Sequence, residues 1–359
     1  NLKQLGNCHY VFPGAQHTRF EHSIGVYFLA GKVLEEIKKN QPEIEINEKT
    51  TELIKIAGLV HDLGHGPFSH LYDDLIINNL IENGININEK SRVHEYRSCL
   101  LLDEIIKNLN IKYIKNEILF IKSLICPKYF KKINKYPKFL YQIISNEDTS
   151  LDVDKFDYLK RDPYNIGLNK HIDFDRLIQN IKIIDNEIYY PKKILNQISE
   201  IFEIRFKFFR DVYNHHTIVA IDYMIADILT NILLYLKKYK NFDLNNINNF
   251  IKIDDNIIDN ILKFNDFNNN LLKKSSLLYE RIKNRKLYKF VKIINKGENM
   301  TNKFITLKKR RNPNLIFNEV NLNSMKKYLD NVNYYNSNLD YLNVQNNELN
   351  FIQVFDKVI

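Results

Sequence analysis

The chain of 359 residues contains no tryptophan, three cysteines, three methionines and ten glycines. Cys8, Cys99 and Cys126 are scattered without a paired spacing, which argues against a disulfide framework and against a thiolate zinc site. No stretch reaches the roughly 18 uninterrupted apolar residues of a membrane span, so no membrane association is expected. The chain opens on Asn1 with no signal-peptide pattern and reads as a fragment with undetermined upstream targeting; the expected location is intracellular, cytosol or nucleus. Acidic balance is missing too: 52 Lys and Arg against 43 Asp and Glu leave a formal charge of +9. A solvated lysine-rich surface accounts for that charge, and attraction to nucleic acid or to phosphorylated small molecules is the sharper alternative.

The scarce residues are not spread evenly. Eight of the ten glycines precede residue 85, and VHDLGHGPFSH (60–70) packs three histidines, two glycines, an aspartate and a proline into one short stretch. It follows directly on an apolar helical run, Thr51–Val60, which Gly64, Gly66 and Pro67 should end. Apolar periodicity predicts further helices over Phe20–Lys39, His94–Leu109, Asn116–Cys126, Phe139–Ser145, Leu151–Arg161 (broken by Pro163) and Ile194–Lys237 as one or two helices. Beyond residue 240 the chain is Asn-rich, read as helices joined by Asn-rich loops, with short strands such as Phe304–Leu307 and Phe351–Val354. The class is mainly α, with a small α+β region at the C-terminal end. The expected division is a core at 1–235 and a helical extension with an accessory region at 236–359.

His61 and His65 are four apart and share a face if the helix persists that far. Arg19-Phe20-Glu21-His22 lies upstream, and Leu151-Asp152-Val153-Asp154-Lys155-Phe156-Asp157-Tyr158 lies downstream. A lone helical histidine is ordinarily a hydrogen-bonded structural residue, and an acidic aromatic run is ordinarily a solvated face. Neither explains three histidines clustered at the end of an apolar helix, where burial without partners is costly. Imidazole with carboxylate suits zinc, iron or manganese, and two of each leave coordination positions open for water or substrate.

His22, the doublet His61-Asp62 and Asp154 form the H…HD…D pattern of the HD superfamily of metal-dependent phosphohydrolases. More closely, YVFPGAQHTRFEHSIGV (10–26), IAGLVHDLGHGPFSH (56–70) and LDVDKFDYLKRDPYNIG (151–167) resemble the signature blocks of the SAMHD1-type deoxynucleoside triphosphate triphosphohydrolases. The similarity runs from the first residue to about 235 and thins out by about 320. A bare HD doublet is a weak motif; three long blocks in the right order are strong.

The resemblance implies an HD-domain helical core that hydrolyses deoxynucleoside triphosphates to deoxynucleoside and inorganic triphosphate. His22, His61, Asp62 and Asp154 would hold one metal (iron, zinc or manganese), with Mg2+ accompanying the phosphates. His65 would face the α-phosphate, His94 with Glu95 would form a supporting pair, and Asp73 would orient the histidines. Arg19, His70, Lys155, Tyr158 and Arg205 match positions that grip the triphosphate. Gln4, Asp162 and Tyr213 match deoxyribose contacts, Tyr213 being the wall that excludes a 2′-hydroxyl, and Leu5 packs beside the base. The sequence departs from the family at Asn214, where a longer glutamine reaches the base, and at Gly6-Asn7-Cys8, which replaces a more glycine-rich turn.

The same resemblance implies a nucleotide effector (GTP or dNTP) bound between subunits of a homodimer or homotetramer, at Val11, Phe12, Arg176, Lys193, His215, Arg285 and Lys289. Two other functions compete. One is an HD phosphohydrolase of nucleoside monophosphates or cyclic nucleotides. The other is a nucleic-acid-binding or scaffold role resting on the net charge and the KKRR run Lys308–Arg311, which no recognised RNA-binding motif accompanies.

Overall fold

The computed structural model describes residues 2–168, 172–264, 269–295, 314–322, 332, 334–335 and 349–357. The expected strand Phe304–Leu307 and the basic run Lys308–Arg311 lie outside them. A single 3-10 turn, Gly6–Tyr10, precedes helix α1 (Arg19–Asn40). Thr18 and Glu21 close a reciprocal capping box that fixes where α1 starts, three residues before His22. Helix α2 (Glu48–Val60) starts at an Asn47 cap and stops where the histidine-rich stretch begins. Then follow α3 (Ile77–Glu82), α4 (His94–Asn108) and α5 (Lys115–Ile125).

Helix α6 (Val153–Asn165) is capped by Asp152, whose Oδ1 accepts the Lys155 backbone N–H at 3.0 Å. Pro163 does not break α6 as expected; it sits in the last turn, and the Ile166 N–H still reaches the Asp162 carbonyl at 3.0 Å. A proline that near the end removes one ladder bond and leaves nothing downstream to kink. The segment predicted helical at Phe139–Ser145 is a shorter 3-10 turn, Lys138–Gln142, bounded by Pro137.

Next come α7 (Phe174–Gln179), the hairpin β1 (Lys182–Ile184) and β2 (Glu187–Pro191), α8 (Leu195–Phe208) and α9 (His216–Lys240). A π-type turn at Phe209–Tyr213 separates α8 from α9. Helices α10 (Ile247–Phe250), α11 (Ile257–Phe264) and α12 (Asn270–Lys283) lead to an antiparallel sheet of β3 (Lys289–Asn295), β4 (Leu315–Leu322) and β6 (Leu349–Asp356), in the order β3-β6-β4. The two-residue β5 (Tyr334–Tyr335) pairs parallel to β2. Mainly α with a small sheet at the C-terminal end is the predicted class.

Two apolar clusters form the core. The first gathers Val26, Leu34, Leu53, Phe120, Phe156, Leu177 and Phe202 from α1, α2 and α5 to α8. The second surrounds α9, with Ile76, Ile221, Leu229, Leu272 and Phe355. Helix α9 has the length and mean hydropathy of a membrane span, yet two-thirds of its apolar window is buried, as its place in the second cluster requires. It runs across the expected 235/236 division. Cys8, Cys99 and Cys126 are buried free thiols.

Candidate metal centre and its imidazole pair

The predicted metal residues come from three elements. His22 is on α1, His61 and Asp62 follow the last turn of α2, and Asp154 is in the first turn of α6. The ligating atoms of His22, His61 and Asp154 lie within 4.8 Å of one another. His22 Nε2 is 3.0 Å from Asp154 Oδ1 and 3.6 Å from Asp62 Oδ2; His61 Nε2 is 3.2 Å from Asp62 Oδ1 and 3.6 Å from Asp154 Oδ1. Adjacent His61 and Asp62 therefore meet over a shared edge.

The opposite ring nitrogens decide the tautomers. His22 Nδ1 is 2.7 Å from Asp157 Oδ2, and His61 Nδ1 is 2.7 Å from the Gly58 carbonyl, so in each neutral ring Nδ1 carries the proton and the Nε2 lone pair faces the carboxylates. Both Nε2 atoms are buried without a hydrogen-bond partner among the described residues. Two orphaned imidazole nitrogens aimed at two carboxylates fit a divalent transition metal. The field agrees. Burial opposes charge on His22, but Asp154, Asp157 and Asp62 outweigh it and lift its pKa to about 10. Burial likewise opposes ionisation of Asp62 and Asp154, and the surrounding cations still hold both carboxyls well below the usual range. A site this negative attracts a cation, and proton and metal compete for it.

Beyond the metal residues lies a second group. The chain turns sharply after Asp62, so His65 no longer shares a helix face with His61. Its Nε2 lies 3.6 Å from Asp62 Oδ1, and its ring stacks on His94 at 3.8 Å and 20°. His70 stands edge-on to His65 at 4.8 Å. The ring nitrogens of His65, His70 and His94 also lie within 4.8 Å of one another, but without a carboxylate among them, whereas the His22, His61 and Asp154 group includes one. Burial, helped by Arg19 and His94, pushes His65 well below the ordinary imidazole range, so it is neutral at pH 7. His94 Nδ1 is 3.0 Å from Asp73 Oδ2, and Glu95 Oε1 is 3.6 Å from His94 Nε2. Gly64 is what allows this approach: a Cβ there would meet the His94 carbonyl at 2.1 Å. Phe68 and Ser69 adopt positive φ values of 62° and 63°, local strain held in place by Asp255 on the Phe68 N–H and by Ser69 Oγ on the Lys3 carbonyl.

The phosphate residues are placed unevenly. Arg19 is buried and directed at Asp62, with Nη1 2.5 Å from Oδ2 and Nε 2.9 Å from Ser69 Oγ. Lys155 pairs with Asp152 at 2.7 Å. Burial pushes the Tyr158 phenol up to about 12, while Arg205 and Lys155 beside it pull the other way, so these three share one neighbourhood. Asp162 Oδ2 accepts the Tyr213 hydroxyl at 2.6 Å, uniting the two sugar residues. Gln4 Oε1 is buried without a partner among the described residues, and Leu5 is half-buried. The Asn214 amide donates to the Phe209 carbonyl at 2.8 Å.

Of the effector set, Phe12 meets the His215 ring edge-on at 6.2 Å, and Arg285 donates to the Tyr10 carbonyl, next to Val11, at 2.6 Å. Arg176 on α7, Lys193 in the turn before α8 and Lys289 opening β3 stand on separate elements.

Sequence reasoning missed the supports. Asp157 holds His22 and is itself clamped by Arg161 through Nε at 2.7 Å and Nη2 at 2.8 Å. Arg97 donates to the Gly64 carbonyl at 2.8 Å, to the Ser91 carbonyl at 2.8 Å and to Asp73, and lies over the Tyr72 and Phe250 rings. Asp255 joins the Lys3 and Phe68 amides. The signal for Asp157 was present: it stands three residues after Asp154, one helical turn on.

Helices presenting two imidazoles and two carboxylates, with neutral histidines alongside, define the HD class of metal-site protein. The HD domain family pattern matches residues 19–162. An HD domain-containing protein of Acanthamoeba polyphaga mimivirus is 37% identical over 349 residues, covering 88% of this chain and 72% of that protein. The Dictyostelium discoideum deoxynucleoside triphosphate triphosphohydrolase SAMHD1 homolog is 40% identical over 292 residues, covering 81% of this chain and 54% of its own. Homo sapiens deoxynucleoside triphosphate triphosphohydrolase SAMHD1 is 33% identical over 320 residues, covering 81% of this chain and 50% of its own. The chain belongs to the HD-domain family and spans about half the length of these SAMHD1 relatives.

Proposed function

We propose that the protein is a metal-dependent deoxynucleoside triphosphate triphosphohydrolase. Water adds to the α-phosphorus, the bond to the 5′-oxygen breaks, and deoxynucleoside and inorganic triphosphate leave. One observation carries the reading: the His22, His61, Asp62 and Asp154 donors converge directly beside the stacked rings of His65 and His94. A bound iron, zinc or manganese ion would lower the pKa of a coordinated water and stabilise charge on the phosphoryl oxygens.

The chain's own groups supply the rest. Asp157 and the Gly58 carbonyl hold the ligand imidazoles in one tautomer. The leaving 5′-oxygen needs a proton. Neutral His65 and its stacked partner His94, fixed by Asp73, are placed to move one. Lys155, Tyr158 and Arg205 line the side where phosphate charge is bound, with Mg2+ accompanying the nucleotide. Subunit assembly driven by a nucleotide effector belongs to the same reading; within the chain Phe12 neighbours His215, and Arg285 meets the Tyr10 carbonyl.

The test is product analysis. Protein with dGTP and divalent metal, with and without GTP, is expected to release deoxyguanosine and tripolyphosphate. Release of monophosphate and pyrophosphate refutes this reaction class. Unchanged activity in Asp62→Ala removes the site.

A further inference from the structure

His17 has no place in the site described so far. It precedes α1 and is only 4% exposed. Its Nε2 is 2.8 Å from Asp162 Oδ1, across 145 residues of sequence. The other Asp162 oxygen accepts the Tyr213 hydroxyl at 2.6 Å. Asp162 is itself 1% exposed, so both of its oxygens are committed inside the protein. Three elements are tied at one carboxylate: the segment before α1, helix α6, and the turn at the end of α8.

Position along α6 says what this knot faces. Asp154, Tyr158 and Asp162 recur every four residues and share one face of the helix. Eight residues at about 1.5 Å each put Asp162 about 12 Å along the axis from the metal residue Asp154. A ligand with a phosphoryl group at the metal end and its body along this face reaches Asp162 and Tyr213 with its nucleoside part. Tyr213 is half-buried, and burial together with Asp162 and Tyr158 raises its phenol well above the ordinary range, so it stays a neutral donor to Asp162. The His17 backbone carbonyl accepts the Gln4 N–H at 3.0 Å, and Gln4 Oε1 is buried without a partner among the described residues.

We infer that His17 is a specificity-determining positioning residue: by clamping Asp162 it holds Tyr213 as a rigid wall against the nucleoside sugar. The inference rests on the nucleotide reading of the site. Without the His17 N–H, Asp162 Oδ1 is left buried and unsatisfied. The carboxylate then turns to find a partner, and the tyrosine hydroxyl follows it. A wall free to move admits a 2′-hydroxyl that a fixed one rejects. Asp162 stands about 12 Å along α6 from Asp154, and His22 and His61 keep their own supports in Asp157 and the Gly58 carbonyl, so the chemical step stays intact.

The experiment compares wild type, His17→Leu and His17→Gln in hydrolysis of dGTP and GTP, each followed to separate kcat and KM. The readout is the ratio of kcat/KM for the two nucleotides. This ratio is independent of the fraction of folded enzyme, so a purely structural loss cancels. His17→Leu is expected to lower the ratio about 10-fold or more, the loss of a hydrogen bond to a buried charge. The change should appear as a rise in kcat/KM for GTP, with kcat for dGTP within about threefold of wild type. The glutamine amide can reach where His17 Nε2 stands and is expected to restore most of the ratio. A wild-type ratio in His17→Leu, or a glutamine variant as relaxed as the leucine one, overturns the clamp. Wild-type protein that hydrolyses no deoxynucleotide overturns the proposed function instead, and the two failures are told apart in the same assay.

Discussion

Helix α1 contains two interior glycines, Gly25 and Gly31, which helix propensity treats alike: replacing either by alanine should gain up to about 1 kcal/mol. Their surroundings separate them. A Cβ on Gly31 meets only the end of Lys55, at 3.3 Å from Cδ and Cε, and that side chain can swing aside. A Cβ on Gly25 falls 1.9 Å from Asp157 Oδ1 and 2.5 Å from Arg161 Nη2. To regain an ordinary contact of 3.4 Å the carboxylate must retreat by about 1.5 Å, the difference between 3.4 and 1.9. Its 2.7 Å bond to His22 Nδ1 does not survive that movement. Losing a hydrogen bond to a charged group costs about 1.5–3 kcal/mol, more than the helix gains. The same bond orients a proposed metal ligand, and loss of such a support lowers metal affinity about 10–100-fold. Gly25→Ala should therefore melt below wild type and lose metal in competition with a chelator, while Gly31→Ala melts at or above wild type and keeps it. Metal content by mass spectrometry, with thermal melts in parallel, checks both. If Gly25→Ala keeps wild-type metal affinity and stability, the Asp157–His22 support is not what holds the centre.

The remaining predictions touch other parts of the structure. Burial pushes the Asp222 carboxyl from 3.8 to about 7, so the folded state keeps a proton that the unfolded chain releases; stability should fall as pH rises from about 4 to 7 and stay level above. Asp222→Asn removes that penalty. It should stabilise at pH 8 by up to about 4 kcal/mol, at 1.36 kcal/mol per pH unit, and have little effect near pH 4 in urea titrations; equal effects at both pH values contradict the assignment. Arg97→Met leaves Asp73 buried without its cation and should cost about 3–5 kcal/mol, whereas Arg97→Lys, which keeps the charge but not the fork to Gly64 and Ser91, should fall between; equal unfolding midpoints refute this. Chelation should lower the melting point, and metal restored at 100 times its dissociation constant should return about 2.7 kcal/mol; a melting curve indifferent to both argues against a folded-state metal centre.

What could be read from the sequence, and what could not, divides along sequence distance. The predicted starts and ends of α1, α4 and α5 fall within a residue or so of those observed, because apolar periodicity and capping residues are local. The Phe209–Tyr213 π turn was not legible, since shifting a backbone bond by one residue leaves no compositional trace. Residue chemistry alone pointed to a metal site where histidine and aspartate gather at the end of an apolar helix, and the resemblance of three sequence blocks supplied the distant candidates His22 and Asp154. Their supports were illegible because a carboxylate holding a histidine can lie anywhere in the chain. Asp157 is 135 residues from His22, and Asp162 is 145 from His17. Gly25 shows where a trace does survive. Glycine inside a strong helix is a standing cost, and a site that must admit a carboxylate against the backbone is one physical reason to bear it. An interior glycine three residues from a candidate ligand is therefore a sequence signal for a support whose identity only the fold reveals.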